Sequence, residues 1–313
     1  MKVTPVLKIF LFAFLVFTTG LIASLFLGAV SGYDRVIFYT LRVPRTIAAI
    51  AVGGGLAVSG AIIQSVLANP LADPYTLGIA SAGALGAVLG KAFQLPYGSA
   101  PLAFIFSLGA LTLLTFWVRG HFYESRHILL VGVIAGFFFS SLATLILALS
   151  DPSAWTFSMG WILGSLSHID AESSFLAFGA NIIATIFLWF HWKALDLLAV
   201  DTELAAASGV DTASLRRRVF VAASFITAVC VSSAGIIGFI GLLVPHAFRL
   251  LSRGAVVSYR FLIPLSFLGG AGLLSFSDSV ARILARPIEI PVGVVMALLG
   301  APVFLLMARK ARL

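Results

Sequence analysis

Two pairs of arginines stand beside long apolar stretches of the chain. Arg42 and Arg45 flank Pro44 just before one such stretch. Arg282 and Arg286 lie just before the last one. A planar guanidinium group recognises carboxylates and phosphates through paired hydrogen bonds. These pairs predict either a rim that binds acidic groups of a partner or side chains that reach toward lipid phosphates at a membrane surface.

The other polar residues do not indicate catalysis. The five histidines are scattered, none pairs with a carboxylate at metal-ligand spacing, and no Gly-rich phosphate loop is present. The Gly53–Gly55 run lies within an apolar stretch and indicates close helix packing. Asp278 and Glu289 could serve ion coupling, but nearby arginines favour structural pairing instead. The sequence therefore predicts neither an enzyme nor a metal site.

The longest stretch that a bilayer core would not accept is Ala194–Arg218. Its pattern indicates two short helices. Thr202–Ser208 is rich in helix formers, and Gly209 can end that helix. Asp211 or Thr212 can cap a second helix, which runs into three consecutive arginines. This pattern predicts either a docking surface for a partner protein or an ordinary cytoplasmic loop with positive anchors.

Composition places these features in a membrane protein. The chain has 313 residues, of which 60% are hydrophobic and 10% charged, with a mean hydropathy of +1.10. A soluble domain would carry about 25% charged residues. The single Cys230 excludes a disulfide framework, and the dispersed basic residues argue against nucleic acid binding. We predict an all-α polytopic protein in which residues 1–313 form one transmembrane domain.

Apolar runs of suitable length predict about ten transmembrane helices. We place them at residues 6–29, 45–67, 76–93, 101–118, 128–149, 172–192, 219–235, 237–251, 262–279 and 291–307. An even number puts both termini on one side. With the termini inside, 14 of the 20 Lys and Arg residues are cytoplasmic. The positive-inside rule therefore predicts cytoplasmic termini, with Ala194–Arg218 on the same side.

Three further segments do not fit a simple span. Asn69–Pro74 contains two prolines, so the chain cannot continue there as a helix. Val118–His127 is a second polar loop on the same predicted side. These two loops could be gates or simply turns. Ser150–Asp170 is too polar for a full span, and we predict a short helix there on the outer side.

Three long motifs resemble the FecCD family of ABC importer permeases, which serve iron complexes and cobalamin. Arg42–Gly90 reads RVPRTIAAIAVGGGLAVSGAIIQSVLANPLADPYTLGIASAGALGAVLG. Ala234–Leu251 reads AGIIGFIGLLVPHAFRLL, and Ser277–Leu306 reads SDSVARILARPIEIPVGVVMALLGAPVFLL. The resemblance covers essentially the whole chain in the right order. It implies the type II ABC importer permease fold.

The resemblance also assigns roles to individual residues. It implies that the loop at 194–218 couples to an ATPase subunit through Thr202, Glu203, Ala205, Ala206, Ser208, Gly209, Val210 and Arg216. Arg42, Arg45 and Arg282 would dock a substrate-binding protein. Asn69, Leu71, Ser125 and Arg126 would form the cytoplasmic gate. Ser140, Ser141, Thr144 and Met296 would line the pathway.

The function implied is ATP-driven import across the bacterial inner membrane. The chain would form a homodimer in the lipid bilayer, with two ATP-binding cassette subunits below and a binding protein outside. ATP and magnesium would be held by the ATPase, and no cofactor by this chain. The cargo would be a ferric siderophore or haem, then cobalamin, with an oxyanion such as molybdate also open. The alternative is an ion-coupled secondary transporter, which would need carboxylates in mid-membrane and an inverted repeat.

Overall fold

A computed structural model describes residues 5–28, 34–95, 98–118, 125–252, 257–286 and 288–311. Within these ranges the chain is helical and forms no strand. The α-helices are α1 (Pro5–Phe26), α2 (Arg35–Ile37), α3 (Val43–Val66), α4 (Ile79–Ala92), α5 (Ser99–Trp117), α6 (Ser125–Ala148), α7 (Pro152–Ile162), α8 (Ala171–Phe190), α9 (Trp192–Val200), α10 (Thr202–Ala207), α11 (Thr212–Ala234), α12 (Ile240–Leu251), α13 (Tyr259–Leu284) and α14 (Val292–Ala311).

The predicted all-α membrane architecture is confirmed. Seven helices of the described chain are long and apolar enough to cross a bilayer, and three shorter apolar helices accompany them. The short ones are α4, α12 and α14. Together they account for the ten apolar segments of the sequence. The short helix predicted between residues 150 and 170 is α7, which packs against α4.

The second span begins earlier than the sequence indicated. We expected it to start at residue 45, where the apolar run begins, but the helix runs without interruption from Arg35 to Val66. Asp34 caps its start by accepting hydrogen bonds from the next N–H groups. A π-helical turn at Phe38–Arg42 precedes Pro44. The wider turn accommodates a residue that has no N–H to donate.

Helix α3 lies at the centre of the packing. It contacts α13, α11, α8 and α12, and small residues let these helices approach closely. A Cβ atom on Gly53 would lie 2.3 Å from the carbonyl oxygen of Gly270, and one on Gly270 would lie 2.2 Å from that of Gly53. No side chain fits at this crossing. The packing role predicted for the glycine run at 53–55 is confirmed here.

The connection between α7 and α8 on the outer side is hydrogen-bonded to two other elements. The N–H of Ser165 donates to the Ala234 carbonyl at 2.9 Å, and that of Gly293 donates to the Gly164 carbonyl at 3.1 Å. A Cβ on Gly235 would lie 2.0 Å from the Trp161 carbonyl oxygen. The non-helical backbone that follows α11 is thus covered by protein, as backbone at membrane depth must be.

Candidate coupling, gate and docking sites

The coupling segment, residues 194–218, forms the end of α9, all of α10 and the start of α11. Asp201 caps α10 by accepting from the N–H groups of Glu203 and Leu204 at 2.7 and 2.9 Å. Gly209 ends it with a φ of +84°, in the left-handed region that favours glycine. Asp211 then caps α11 by accepting from Ser214 at 3.1 Å. The predicted pair of helices is confirmed, including its stop and its second cap.

Helix α10 presents a small exposed face. Ala205 is fully buried and fixes the helix on the protein. Leu204 is 49% exposed, although it is apolar and lies on the cytoplasmic side. Exposed residues around it are Glu203, Ala206, Ala207, Ser208 and Gly209. An exposed apolar side chain on a short helix is a feature of helices that dock in grooves, and the ATPase-coupling role of this segment stays a prediction.

A buried arginine joins this helix to the start of the inner loop. Arg216 is 6% exposed. Its guanidinium donates to the hydroxyl of Thr202 at 2.9 Å and to the carbonyl of Val66 at 3.1 Å. Thr202 is the first residue of α10, and Val66 is the last residue of α3. The Arg216 side chain therefore links the start of α10 to the end of the central helix.

A second link joins the coupling segment to α13. The carboxylate of Asp196, on α9, accepts from the Ser258 hydroxyl at 2.6 Å and from the Tyr259 N–H at 2.7 Å. Asp196 therefore caps α13 from another element of the fold. Nothing in the local sequence marks this role, because the partners lie more than 60 positions away.

The inner loop, residues 67–78, follows α3. Asn69 accepts from the N–H of Leu71 at 2.9 Å, which fixes a tight turn. Leu71 is 50% exposed at the tip of this turn. Tyr75 lies deeper, where its hydroxyl accepts from the N–H of Ile237 at 3.1 Å. The loop thus has a fixed base and an exposed apolar tip, and the gate role of Asn69 and Leu71 stays a prediction.

Asp73 gives this loop a pH dependence. Burial raises the pKa of its carboxyl from 3.8 to about 6, against the opposing effect of the hydrogen bond from the Tyr75 N–H. The folded state therefore binds the proton more tightly than the unfolded state, and stability falls as the pH rises from about 4 to about 6.

We expect Asp73→Asn to remove this dependence, because an amide oxygen can still accept from Tyr75. Between pH 5 and 7.5 the wild type should lose roughly 1.5 kcal/mol relative to the variant. Thermal unfolding of both proteins in detergent at the two pH values measures the difference. Parallel pH profiles would show that Asp73 does not titrate in this range.

The second predicted gate loop is described only from Ser125 onward, since residues 119–124 lie outside the described ranges. Ser125 and Arg126 begin α6, and Arg126 is exposed. Two turns further on, α6 packs against the inner loop. A Cβ on Gly132 would lie 2.8 Å from the Thr76 carbonyl oxygen. This contact ties the beginning of α6 to the base of the inner loop.

The outer arginines are already engaged within the chain. Arg42 is 8% exposed and donates to the carbonyls of Leu25 and Phe26 at 2.9 and 3.2 Å. Arg282 is 4% exposed and donates to the carbonyl of Ser24 at 3.0 Å. Both side chains hold the outer end of α1. Their proposed docking role stays a prediction.

An ion-pair network around the buried carboxylate of Asp278 lies beside them. Arg45 bonds to Asp278 at 2.9 Å and to Glu289 at 2.7 Å. Arg282 pairs with the same Asp278 at 3.1 Å. Structural pairing of Asp278 with the neighbouring Arg282 is confirmed. Glu289 is paired too, but with Arg45 rather than with Arg282 or Arg286, and Arg286 donates to the Gly28 carbonyl. Arg45, Arg282 and Glu289 border an outer cavity of about 210 Å³, whose lining also includes Arg42.

The predicted pathway residues separate into two groups. Ser140, Ser141 and Thr144 lie on the exposed face of α6, and the Thr144 hydroxyl donates to the Ser140 carbonyl at 2.9 Å. Their pathway role stays a prediction. Met296 is 1% exposed and belongs to the main core. Its pathway role stays a prediction.

Within the described ranges, no group of three or more His, Cys, Asp or Glu residues could hold a metal ion.

Comparison with known proteins places this arrangement in a family. The model of the FecCD transport family matches residues 3–310. The chain belongs to the FecCD transport family. It is therefore a multi-pass permease of the ABC transporter class in the bacterial inner membrane, and its family consists of transport subunits.

Curated relatives cover most of the chain. The vitamin B12 import system permease BtuC of Vibrio vulnificus is 34% identical over 90% of this chain and 85% of its own. The same permease from Salmonella schwarzengrund is 36% identical over 90% and 86%. The ABC transporter permease YvrB of Bacillus subtilis, a protein of uncharacterised function, is 34% identical over 88% and 80%.

Solved structures share the fold. A protein described as a metal-chelate type ABC transporter, in an inward-facing conformation, superposes with a TM-score of 0.86. Its sequence is 30% identical, and the match covers 96% of this chain and 98% of that one. PsaBC from Streptococcus pneumoniae, at 20% identity and a TM-score of 0.59, covers 85% and 90% and supports the fold alone. The fold of this chain is the type II permease fold, with both termini cytoplasmic.

Proposed function

We propose that this chain is the membrane permease of a binding-protein-dependent ABC importer for a bulky metal chelate. The observation that carries the proposal is the bridge made by Arg216. This buried side chain connects the first residue of an exposed docking helix to the last residue before the inner loop. A transporter driven by a separate ATPase needs such a mechanical connection between its docking surface and its gate.

The mechanism is two-state alternating access. A partner ATPase seats its groove on α10, and closure of the ATPase dimer around ATP and magnesium displaces this helix. Arg216 transmits the displacement to α3, and Asp196 transmits it to α13. The inner loop then opens or closes the pathway on the cytoplasmic side. ATP, magnesium and the hydrolytic chemistry belong to the partner, and this chain contributes movement only.

The pathway forms between two copies of the chain. Helix α6 is the least buried of the seven long spans. Its exposed face combines the hydroxyls of Ser140, Ser141 and Thr144 with large apolar side chains such as Phe137 and Phe138. A homodimer that faces α6 and α14 across its axis would enclose a channel of this mixed character. A wide, mostly apolar channel suits a large ligand that must slide.

The outer face receives the cargo from a binding protein. Arg45 and Glu289 lie at the rim of the outer cavity, where the carboxylates of a docking protein could exchange with the internal ion pair. Several relatives carry vitamin B12, and the solved neighbour is of the metal-chelate type. The cargo class is therefore a metal chelate, with cobalamin, ferric siderophores and haem as its members to be tested.

An ion-coupled transporter is disfavoured by the state of Asp278. This carboxylate is fully buried in α13, but two arginines bind it at 2.9 and 3.1 Å. A carboxylate that carries protons or sodium ions must lose its partners in each cycle. Asp278 instead joins α3 to α13 as a fixed structural element.

The experiment is co-purification of the ATPase expressed with the chain. We expect Leu204→Glu to reduce the captured ATPase by more than about tenfold, because a charge replaces the apolar anchor of the docking helix. Leu71→Glu is the matched control. Leu71 is 50% exposed, lies on the same side of the membrane and receives the same substitution, but it belongs to the inner loop. This variant should capture as much ATPase as the wild type.

Two outcomes would contradict the proposal. The first is wild-type chain that captures no ATPase even after mild crosslinking. The second is equal capture by wild type and Leu204→Glu, which would place the docking surface elsewhere.

A further inference from the structure

A long groove runs along the membrane-facing side between α8 and α11. Its cytoplasmic half is a cavity of about 750 Å³ whose apolar walls include Ile183 and Phe187 of α8 and Val221 and Phe225 of α11. A second cavity of about 390 Å³ continues it toward the outer side and shares Ala180 and Phe225 with the first. The cytoplasmic cavity is apolar apart from two arginines, and the outer one mixes apolar side chains with His168, Ser173, Ser232 and Ser233. The apolar part is long enough to hold an acyl chain.

Two arginines stand at the cytoplasmic mouth of this groove. Arg217 and Arg218 are exposed and line the cavity beside the apolar side chains. Arg218 is held in place by donating to the hydroxyl and carbonyl of Ser214 at 3.1 and 3.4 Å. Among the described residues, neither arginine forms an ion pair with a carboxylate. Their neighbour Arg216 points inward and serves the bridge to α3 instead.

We propose that this groove binds an anionic phospholipid of the cytoplasmic leaflet. The phosphate lies between Arg217 and Arg218, and an acyl chain occupies the groove beside Phe187 and Phe225. The apolar walls alone would not select a lipid, because bulk lipid is equally apolar. Charge selects it. Two basic residues near a membrane surface favour an anionic headgroup over a zwitterionic one by roughly thirtyfold.

A second copy of the chain is a poorer occupant. A two-fold symmetric interface places the same patch of each subunit against the other. Here that would bring Arg217 and Arg218 of two copies toward each other without acidic partners, and like charges across an interface oppose association. The α6 face, which carries no charged residue over Phe137–Leu149, has no such cost.

Native mass spectrometry of the detergent-purified full chain tests the site. The protein is titrated with phosphatidylglycerol and, separately, with phosphatidylcholine of the same acyl chains. We expect the affinity of the wild type for phosphatidylglycerol to exceed its affinity for phosphatidylcholine by roughly thirtyfold. In the double variant R217Q/R218Q this ratio should be less than about three. Lys193→Gln is the control, since Lys193 is an exposed basic residue on the same side that does not line the groove.

Two further arms identify the occupant. Ala222→Leu places a larger side chain in the groove wall and narrows the groove. It should weaken the binding of both lipids without changing the ratio of their affinities. Glycerophosphoglycerol, the headgroup without acyl chains, should not displace the bound lipid. Equal wild-type affinity for the two lipids would overturn the proposal. So would a loss of the preference for phosphatidylglycerol in Lys193→Gln as large as the loss in R217Q/R218Q. Full displacement by the soluble headgroup would reduce the site to a phosphate site. A dimer that dissociates in R217Q/R218Q, with no bound lipid in the wild type, would assign the groove to a second copy.

Discussion

Arg216→Ala is expected to leave ATP hydrolysis by the assembled transporter running while ligand uptake falls by about tenfold or more, within the range of energetic coupling between distant sites. The variant keeps α10, its cap at Asp201 and its exposed face, so the ATPase still docks. It removes the guanidinium that holds Thr202 and Val66 together. The measurement is ligand taken up per ATP hydrolysed in proteoliposomes.

Arg216→Lys refines this test. A single ammonium group keeps the charge but cannot hold both Thr202 and Val66 with the geometry of a guanidinium fork. We therefore expect a ratio of uptake to ATP hydrolysis between those of the wild type and Arg216→Ala. Lys193→Ala, at an exposed position just before the coupling segment, should behave as wild type. A wild-type ratio of uptake to hydrolysis in Arg216→Ala would mean that the displacement of α10 reaches the inner loop by another route.

The largest loss of stability is expected for Asp278→Asn. The carboxylate of Asp278 is fully buried between Arg45 and Arg282. Removing one partner of a buried ion pair typically costs about 3–5 kcal/mol, because the remaining charges stay buried and uncompensated. The outer ends of α1, α3 and α13 meet at this network. The midpoint of thermal unfolding in detergent should therefore fall by many degrees.

Glu289→Gln is the comparison for Asp278→Asn. The Glu289 side chain is 34% exposed and also pairs with Arg45, but solvent-accessible ion pairs contribute only about 0–1 kcal/mol. The variant should unfold close to the wild type. Equal midpoints for all three proteins would mean that the network contributes little to stability, and the case for Asp278 as a fixed structural group would weaken.

The sequence predicted the local structure of the candidate sites well. Apolar runs located the ten membrane segments, since helix length is set by bilayer thickness. Asp211 and Gly209 marked the helix limits of the coupling segment, because caps and left-handed turns demand particular residues within a few positions. The start of the second span was the exception. No local residue preference marks the π-helical turn before Pro44.

The contacts between distant segments could not be predicted in this way. Arg216 meets Val66 across 150 positions, and Arg45 meets Asp278 across 233. Both pairs depend on which helices become neighbours, and that is decided by close packing such as the Gly53–Gly270 crossing. The same limit applies to Met296. The family resemblance implied a pathway role for this residue, whereas the structure packs its side chain into the main core.

ATP-driven uptake by the purified complex tests the proposed function most directly. Proteoliposomes would contain the chain with its ATPase and enclosed ATP and magnesium, with the binding protein outside and no ion gradient. Cyanocobalamin, a ferric hydroxamate siderophore and haemin would be offered in turn. We predict accumulation of at least one of them that depends on ATP and on the binding protein. Accumulation driven by a proton or sodium gradient without ATP would contradict it and make the chain a secondary transporter.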